Sequence, residues 1–121
     1  MAPTKITFKL VESDKELASA LGLRRAVYCE EYHHLDAEDY PDGQERDRWD
    51  GSSVHFVALI DDEVIATVRL IRDSKLGFQT EQYVNLPRGV SREKIAEVSR
   101  LTLKKDFRGH GDHIILGLSK L

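Results

Sequence analysis

Two apolar runs separated by an acidic tripeptide constrain the fold of this chain most. The runs cover residues 55–60 and 64–72, and both are rich in β-branched side chains. Asp61-Asp62-Glu63 between them is a turn signal, so the sequence predicts an antiparallel β-hairpin. Alternation in the second strand divides its side chains between two faces: Val64, Ala66, Val68 and Leu70 on one, Ile65, Thr67, Arg69 and Ile71 on the other. Arg69 is therefore expected among apolar neighbours or in a cleft.

A strand and a helix are predicted before the hairpin. Residues 6–11 alternate apolar and polar side chains, as half-buried strands do. Ser13-Asp14-Lys15-Glu16 predicts a capping box, in which the Ser13 hydroxyl accepts from the Glu16 amide and the Glu16 side chain accepts from the Ser13 amide. A helix is expected from there to about residue 31. Its apolar stripe contains Leu17, Leu21, Arg24 and Tyr28.

The second half of the chain predicts one more strand and the start of a helix. A regular strand over residues 97–103 places four side chains on one side: Glu97, Ser99, Leu101 and Leu103. Arg100 then points the other way, unless a bulge redirects it. Residues 32–53 and 73–89 lack a period and are expected to be irregular, residues 91–94 to form a short helical turn, and residues 113–121 to begin a helix.

Composition predicts one globular domain in a reducing compartment. The 121 residues are 40% hydrophobic and 32% charged, which is too apolar for intrinsic disorder. No apolar stretch approaches the roughly 18 residues of a membrane span, and the N-terminus lacks the apolar run of a secretory signal. The single cysteine, Cys29, cannot form an internal disulfide. We therefore predict a cytoplasmic protein without a membrane span.

Charge is distributed unevenly along the chain, although the net charge is only −3. Residues 30–50 contain nine acids and two arginines, whereas residues 86–110 contain seven bases and three acids. Such runs are usually solvated surface. Alternatively, the basic run forms a face that attracts an anionic ligand or an acidic partner protein. Nucleic acid is not the predicted partner, because the whole chain is acidic and has no nucleic-acid motif.

Six charged residues stand out as candidate site residues. Three are carboxylates within one short segment and three are arginines at positions where a core excludes charge: Glu45, Asp47 and Asp50, and Arg24, Arg69 and Arg100. A buried guanidinium costs several kcal/mol without a partner, so acids or an anionic ligand must pair with it. Two interpretations stay open, an ion-pair network that holds the loop and a polar cleft that orients a zwitterionic substrate.

The other candidate motifs differ in strength. The acidic segment fails the spacing of an EF-hand and the histidines show no zinc spacing, so we predict no metal. Cys29 is favoured as packing over a nucleophile, and no Gly-x-Ser-x-Gly elbow supports a hydrolase. The turn Arg108-Gly109-His110-Gly111 after a strand ending in Lys104-Lys105 suits a phosphate, because glycines let backbone amides approach and a helix N-terminus follows. The alternative interpretation, an ordinary strand-to-helix turn, stays open.

Five ordered blocks resemble the acyl-carrier-dependent branch of the GCN5-related N-acetyltransferase superfamily. They are Leu23-Arg24-x-x-x-Tyr28, Glu45-x-Asp47-x-x-Asp50, His55-Phe56-Val57-Ala58, Ala66-Thr67-Val68-Arg69-Leu70 and Glu97-Val98-Ser99-Arg100-Leu101. Their order is similar to that of the acyl-homoserine-lactone synthases and the long-chain N-acyl amino acid synthases. Val27-Tyr28-Cys29-Glu30-Glu31 and Ser53-x-His55-Phe56 look closer to the second group.

This resemblance implies an α+β three-layer acetyltransferase (GNAT-like) fold with a mostly antiparallel sheet. It implies N-acyl transfer from an acyl carrier protein thioester to the amine of an amino acid. The co-substrate is then an acyl-phosphopantetheine, on acyl carrier protein or coenzyme A, with no permanently bound cofactor. By resemblance, Glu97 is the base that takes the ammonium proton. An amide near residues 99–102 stabilises the thioester oxygen, and Arg100 or Arg69 holds the amino acid carboxylate.

The predicted site therefore has three parts. The catalytic residues are Glu97, Ser99 and Arg100. The substrate-binding residues are Arg24, Tyr28, Glu45, Asp47, Asp50 and Arg69. The phosphate of the co-substrate is assigned to Lys104, Arg108, Gly109 and Gly111.

Two departures from the family pattern qualify this assignment. The superfamily loop Arg/Gln-x-x-Gly-x-Gly/Ala ends here in His113, whose side chain hinders the usual pose of coenzyme A. The family fold also continues beyond the helix near residue 113, so residues 1–121 are expected to be a single acyltransferase-like domain lacking its C-terminal part. The alternatives to amino acid N-acylation are acyl-homoserine-lactone synthesis and a non-catalytic domain that binds an acyl chain or a carrier protein.

Overall fold

A computed structural model describes residues 5–121, except for the surroundings of residues 110–112. Four strands form one antiparallel sheet in the order β1-β2-β3-β4: β1 (Thr7–Leu10), β2 (Ser53–Ile60), β3 (Glu63–Arg72) and β4 (Ala96–Leu103). Helix α1 (Asp14–Arg25) follows β1, and helix α2 (Gly111–Ser119) follows β4. No helix in the described part of the chain is long and apolar enough to cross a membrane.

The two helices pack on opposite faces of the sheet. Ala20 of α1 packs on Val57 and Leu59 of β2, whereas Ile114 and Leu118 of α2 pack on Ala58 and its neighbours. Successive strand residues point to opposite faces, so these contacts define an α1 face and an α2 face. The predicted hairpin is confirmed. Its turn is shorter than predicted, because only Asp61 and Asp62 lie outside the strands, both with positive φ.

The helical segment ends at Glu31, as predicted, but two of its details differ from the prediction. The α-helix ends at Arg25 and a π-helical segment (Ala26–Glu31) continues it, which shifts the later residues relative to the α-helical stripe. The Glu16 amide does donate to the Ser13 hydroxyl, at 3.1 Å. The Glu16 carboxylate, however, accepts from the Glu12 amide instead of the Ser13 amide, at 3.1 Å. Ser13 therefore caps the start of the helix as predicted, whereas the reciprocal bond to Glu16 comes from the amide of the preceding residue, Glu12.

A bulge in each of the last two strands corrects the predicted faces. Ala58 pairs with Ala66 but Leu59 pairs with Val64, which leaves Ile65 as an extra residue in β3. An extra residue reverses the alternation. Val64 therefore packs with Val57 on the α1 face, whereas Ala66 and Ile65 pack on the α2 face. The predicted sharing of one face by Val64 and Ala66 is wrong for this reason.

The second bulge lies in β4 and matters more for function. Thr67 pairs with Thr102 and Arg69 with Ser99, so the single residue between them on β3 faces two residues of β4, Arg100 and Leu101. Arg100 has a φ of 52°, an unusual conformation for a residue with a side chain. The alternation predicted for a regular strand is therefore wrong after Ser99. The bulge turns the Arg100 side chain to the α1 face, where Glu97 and Ser99 also lie.

Candidate active site

A loop between the π-helical segment and β2 brings three carboxylates against the α1 face. Arg25 anchors this loop, because its Nε donates to the Tyr40 carbonyl at 3.0 Å. The amide of Glu45 donates to the Leu21 carbonyl at 3.1 Å, which fixes the loop to α1. Glu45, Asp47 and Asp50 thereby reach the sheet beside Arg24 of α1. The clustering predicted from the six charged residues is thus present in the structure.

Arg24 is the centre of an ion-pair network and has no exposed surface. Its Nε and Nη2 donate to the two carboxylate oxygens of Glu45, both at 3.0 Å. Its Nη1 and Nη2 donate to the two oxygens of Asp50, at 2.7 and 3.0 Å. These two bidentate pairs use four of the five N–H groups of the guanidinium, and burial keeps the whole group from solvent. Glu45 is equally buried.

The other two arginines extend the network across β3 and β4. Buried Arg69 donates from Nη1 to Asp47 at 2.5 Å, from Nε to the Ser99 hydroxyl at 2.9 Å and from Nη2 to Gln79 at 3.2 Å. Arg100 donates from Nε to Glu45 at 2.8 Å and from Nη2 to Asp47 at 3.2 Å. Only Arg100 keeps part of its side chain exposed, 18%. It is the arginine of the network that a ligand from solvent can reach.

Electrostatics explain why the charges persist despite burial. Three guanidiniums face three carboxylates, and His55 Nε2 lies 2.9 Å from Asp50 Oδ1. Burial by itself raises the pKa of the Asp50 carboxyl, but hydrogen bonds from His55 and Arg24 outweigh it and hold that pKa well below its usual range. Burial likewise lowers the pKa of Arg24, and bonds to Asp50 and Glu45 more than reverse this. The Asp50 carboxylate and the Arg24 guanidinium therefore both stay charged in the network.

The three carboxylates also resemble a cation site by position alone. One oxygen from each of Glu45, Asp47 and Asp50 lies within 4.8 Å of the others. Each carboxylate, however, accepts from two guanidiniums. The donor set therefore favours an arginine–carboxylate network over a metal ion, which the neighbouring positive charges would repel.

Glu97 lies on the same face as Ser99 and Arg100 but outside the arginine network. It pairs with Ile71 across the sheet, and each of its carboxylate oxygens lies 3.2 Å from the Thr80 amide, which donates to them. One amide holds the carboxylate in place, and its oxygens can still accept a hydrogen bond from a further donor. Along β4 the order is Glu97, then the Ser99 hydroxyl, then the Arg100 guanidinium. The centre of that guanidinium lies 5.4 Å from the Tyr28 ring.

The residues assigned to a phosphate are described only in part. Lys104 pairs with Glu63, and Arg108 pairs with Glu31 through both guanidinium nitrogens, one at 2.8 Å. Arg108 also donates to the Leu103 carbonyl at 3.2 Å. An added Cβ at Gly109 would meet nothing within 4 Å, so space exists there. Gly111 begins α2, and its surroundings lie outside what the structure describes.

An apolar cavity of about 370 Å³ lies on the α2 face behind the β4 bulge. Its lining is almost entirely apolar and comes from three strands and α2, including Phe56, Val68, Leu70, Val98, Leu101, Ile115 and Leu118. Val98 and Leu101 are 66% and 40% exposed, so the cavity opens to solvent along β4. The bulged strand thus separates a charged site on one face from an apolar cavity on the other.

Sequence reasoning missed three residues that the structure places in the site. His55 and Gln79 complete the network, and the Thr80 amide holds Glu97. His55 is the one polar side chain of the first apolar run in the predicted hairpin, and that position was available as a signal. Gln79 and Thr80 lie in an irregular segment, where no periodic signal exists. Cys29 is buried, which raises the pKa of its thiol and agrees with a packing role.

Comparisons with known proteins identify the class. The sheet and the helices match the crystal structure of the AHL synthase LasI with a TM-score of 0.57 at 16% identity, covering 96% of this chain and 69% of that chain. This likeness confirms the GNAT-like fold. A model of the acetyltransferase (GNAT) domain family matches residues 23–116. No similar protein was found among curated sequences.

The chain belongs to the acetyltransferase (GNAT) domain family, and it is an acyltransferase. The predicted superfamily and the predicted enzyme class are therefore confirmed. The matched region begins at Leu23, one residue before Arg24, and ends within α2. It includes every residue of the arginine network and of the β4 bulge. Acyl thioesters are the donors of this family, so the predicted kind of co-substrate is confirmed at that level.

Proposed function

We propose that the protein transfers a long-chain acyl group from an acyl carrier protein thioester to the amine of an amino acid. The observation that carries this proposal is the β4 bulge. It presents Glu97, Ser99 and Arg100 on one face of β4 and an apolar cavity on the other. An acyl transferase that joins a polar amine to an apolar chain needs such a division.

Glu97 is the proposed general base on the acceptor side. An amino acid arrives as an ammonium ion and must lose a proton before its nitrogen attacks the thioester carbon. The Glu97 carboxylate, held by the Thr80 amide, takes that proton directly or through a water. The nitrogen then forms an amide bond and the carbon–sulfur bond breaks. The second proton that the nitrogen loses goes to the departing sulfur, so that the carrier leaves as a thiol, and Glu97 releases its proton to solvent.

The bulge itself is the proposed site of oxyanion stabilisation. When the amine attacks, negative charge develops on the thioester oxygen. A bulge leaves one strand residue without a partner on the neighbouring strand, and a main-chain amide at Arg100–Leu101 can donate to this oxygen. Arg100, the exposed arginine of the network, is proposed to pair with the amino acid carboxylate through its uncommitted guanidinium edge.

We propose positioning roles for the buried members of the network rather than direct substrate contact. Arg24, Glu45 and Arg69 have no exposed surface, and their charged groups are already paired. They hold the loop against the sheet and orient Arg100, Asp47 and Ser99. This proposal revises the expectation that all three bind substrate. Tyr28, Asp47 and Asp50 line the same region and retain some exposure.

The donor side combines the apolar cavity with exposed cations. The cavity behind the bulge is proposed to hold part of the acyl chain. Arg88, Lys94 and Lys105 of the basic stretch are exposed, and positive surface charge favours docking of an acidic carrier protein. Lys104, Arg108, Gly109 and Gly111 are proposed to approach the phosphate of its phosphopantetheine arm.

The direct test is to identify the product. Purified protein is incubated with long-chain acyl carrier protein and a mixture of amino acids, and the products are analysed by mass spectrometry. We expect N-acyl amino acids and an equal amount of free carrier thiol. A lactone formed from an added homoserine derivative would instead assign the protein to acyl-homoserine-lactone synthesis. Absence of any acylated amine would contradict the proposal.

A further inference from the structure

A small hollow lies beside Glu97, where it can select the amino acid that accepts the acyl group. It has a volume of about 290 Å³ and is lined by Phe78, Thr80, Leu86, Ile95, Ala96 and Glu97. Its back wall belongs to the protein core, because Phe78 is only 2% exposed and packs with Trp49 and Ile71, and with Leu86 beside them. Its rim is open, since Ile95 is 38% exposed.

The lining has one charged group and it is acidic. Glu97 favours a cation beside the hollow and disfavours a second carboxylate. The nearby cation Arg92, whose guanidinium lies 5.2 Å from the Phe78 ring centre, is already paired with Asp73 and Glu81. The remaining large side chains are apolar. This chemistry suits an amine that carries an apolar group.

The order of groups along β4 matches the order of groups in an α-amino acid. Ile95 and Ala96 line the hollow, Glu97 borders it, and Ser99 and Arg100 follow along the strand. Residues two apart in a strand are separated by about 7 Å. An amino acid placed here directs its side chain into the hollow and its ammonium to Glu97. Its carboxylate then points toward the Ser99 hydroxyl and Arg100.

We infer that the hollow is the acceptor's side-chain pocket and that the enzyme selects amino acids with apolar side chains. This inference rests on the proposed function and adds the class of acceptor to it. An apolar pocket discriminates by roughly 10- to 200-fold for each missing methylene in favourable cases. We therefore expect kcat/KM for leucine and phenylalanine to exceed that for glycine, serine and aspartate by about tenfold or more.

The test compares two exposed positions of the same chain. Ile95→Asp places a carboxylate on the rim of the hollow, whereas Val84→Asp places one at a 55% exposed position outside its lining. Acylation rates are measured with the five amino acids as acceptors and with saturating acyl carrier protein. Ile95→Asp should raise KM for leucine and phenylalanine about tenfold and leave KM for glycine unchanged. Val84→Asp should leave all KM values unchanged.

Three outcomes would overturn the inference. Equal kcat/KM for apolar, small and acidic acceptors in the wild type would remove the selectivity while leaving the proposed function intact. Equal effects of Ile95→Asp and Val84→Asp would remove the hollow as its source. Failure to acylate any amine would overturn the proposed function as well, which separates the two claims. Leu86→Ala, a purely apolar truncation in the lining, should also lower kcat/KM for leucine and phenylalanine.

Discussion

At the scale of single residues, Arg24 shows how burial assigns a role. Its guanidinium is enclosed between Glu45 and Asp50 and meets both carboxylates in bidentate geometry. Removing one member of such a buried network leaves uncompensated charges behind, which costs far more than the pair contributes in net stability. The position of Arg24 is therefore accounted for by its contribution to stability, without a direct role in catalysis.

Arg24→Ala should lower the free energy of unfolding by about 3–5 kcal/mol, because Glu45 and Asp50 lose their shared partner. Urea denaturation followed by circular dichroism measures the change. Arg46→Ala is the matched control, since Arg46 is half exposed and makes only exposed contacts, with Asp42 and Gln44, and it should have little effect. If Arg24→Ala abolished activity while leaving stability unchanged, Arg24 would be a substrate contact.

The carboxyl of Asp50 makes stability depend on pH in the acid range. Its pKa in the folded protein lies below the value of about 3.9 expected when unfolded. Its contribution is therefore complete above that pH and is lost as the pH falls toward the folded pKa, because the unfolded chain binds the proton first. Asp50→Asn should be less stable than wild type at neutral pH.

That stability difference should shrink as the pH is lowered from about 5 to about 3. Urea titrations at several pH values measure it, with Asp106→Asn, an exposed change, as the control whose difference from wild type stays constant. A difference for Asp50→Asn that is the same at every pH would mean that this carboxyl contributes through shape and not through charge.

At the scale of elements, the bulges mark the limit of what local pattern predicts. The apolar runs at residues 55–60 and 64–72, with their β-branched side chains and the turn signal between them, predict the hairpin because these are local properties of the sequence. An extra residue in a strand depends on the register with its neighbour, which the pattern of one strand does not contain. The predicted faces were therefore wrong after Ile65 and after Ser99. For the same reason the pattern of β4 alone does not fix the direction of the Arg100 side chain, which in the structure points to the acidic loop.

Helix α2 packs so closely on β1 that a glycine is required. A Cβ added at Gly117 would lie 2.2–2.5 Å from atoms of the Phe8 ring. Gly117→Ala should therefore lower the free energy of unfolding by about 1–3 kcal/mol through overpacking, despite the better helix propensity of alanine. Thermal and urea denaturation measure this.

Gly51→Ala provides the comparison for Gly117→Ala. A Cβ at Gly51 meets nothing within 4 Å, so this substitution should be nearly neutral. Combining Gly117→Ala with Phe8→Leu should recover part of the lost stability, because the smaller side chain frees the space. A stabilising Gly117→Ala would show that α2 does not pack on Phe8 as described.

At the scale of the whole molecule, the two charged stretches have different relations to the fold. The acidic loop supplies the carboxylates that neutralise three buried arginines, so much of its charge is consumed internally. The basic stretch contributes Arg100 to that network but keeps Arg88, Lys94 and Lys105 exposed. The sequence shows that charge is unevenly distributed along the chain, whereas only the fold shows which charged side chains remain exposed to a partner.

The residues of the candidate site that could be predicted from the sequence are those that lie in the five motif blocks. The blocks around Arg24, Glu45, Arg69 and Arg100 identified a family that the comparisons confirm. Gln79 and Thr80 were missed, because they act through an amide and a backbone N–H brought in from an irregular segment. Their contribution depends on contacts 10 and 17 residues away in sequence, which no single-sequence pattern encodes.

The central claim is that Glu97 takes the proton from an amine that attacks an acyl thioester at the β4 bulge. Release of carrier thiol by wild type and Glu97→Gln, followed with leucine as acceptor, tests it most directly. We predict amine-dependent release by wild type, with a rate 10²–10⁴-fold lower in the variant and the same melting temperature. Near-normal release by Glu97→Gln, or wild-type release that does not depend on the amine, would contradict this account.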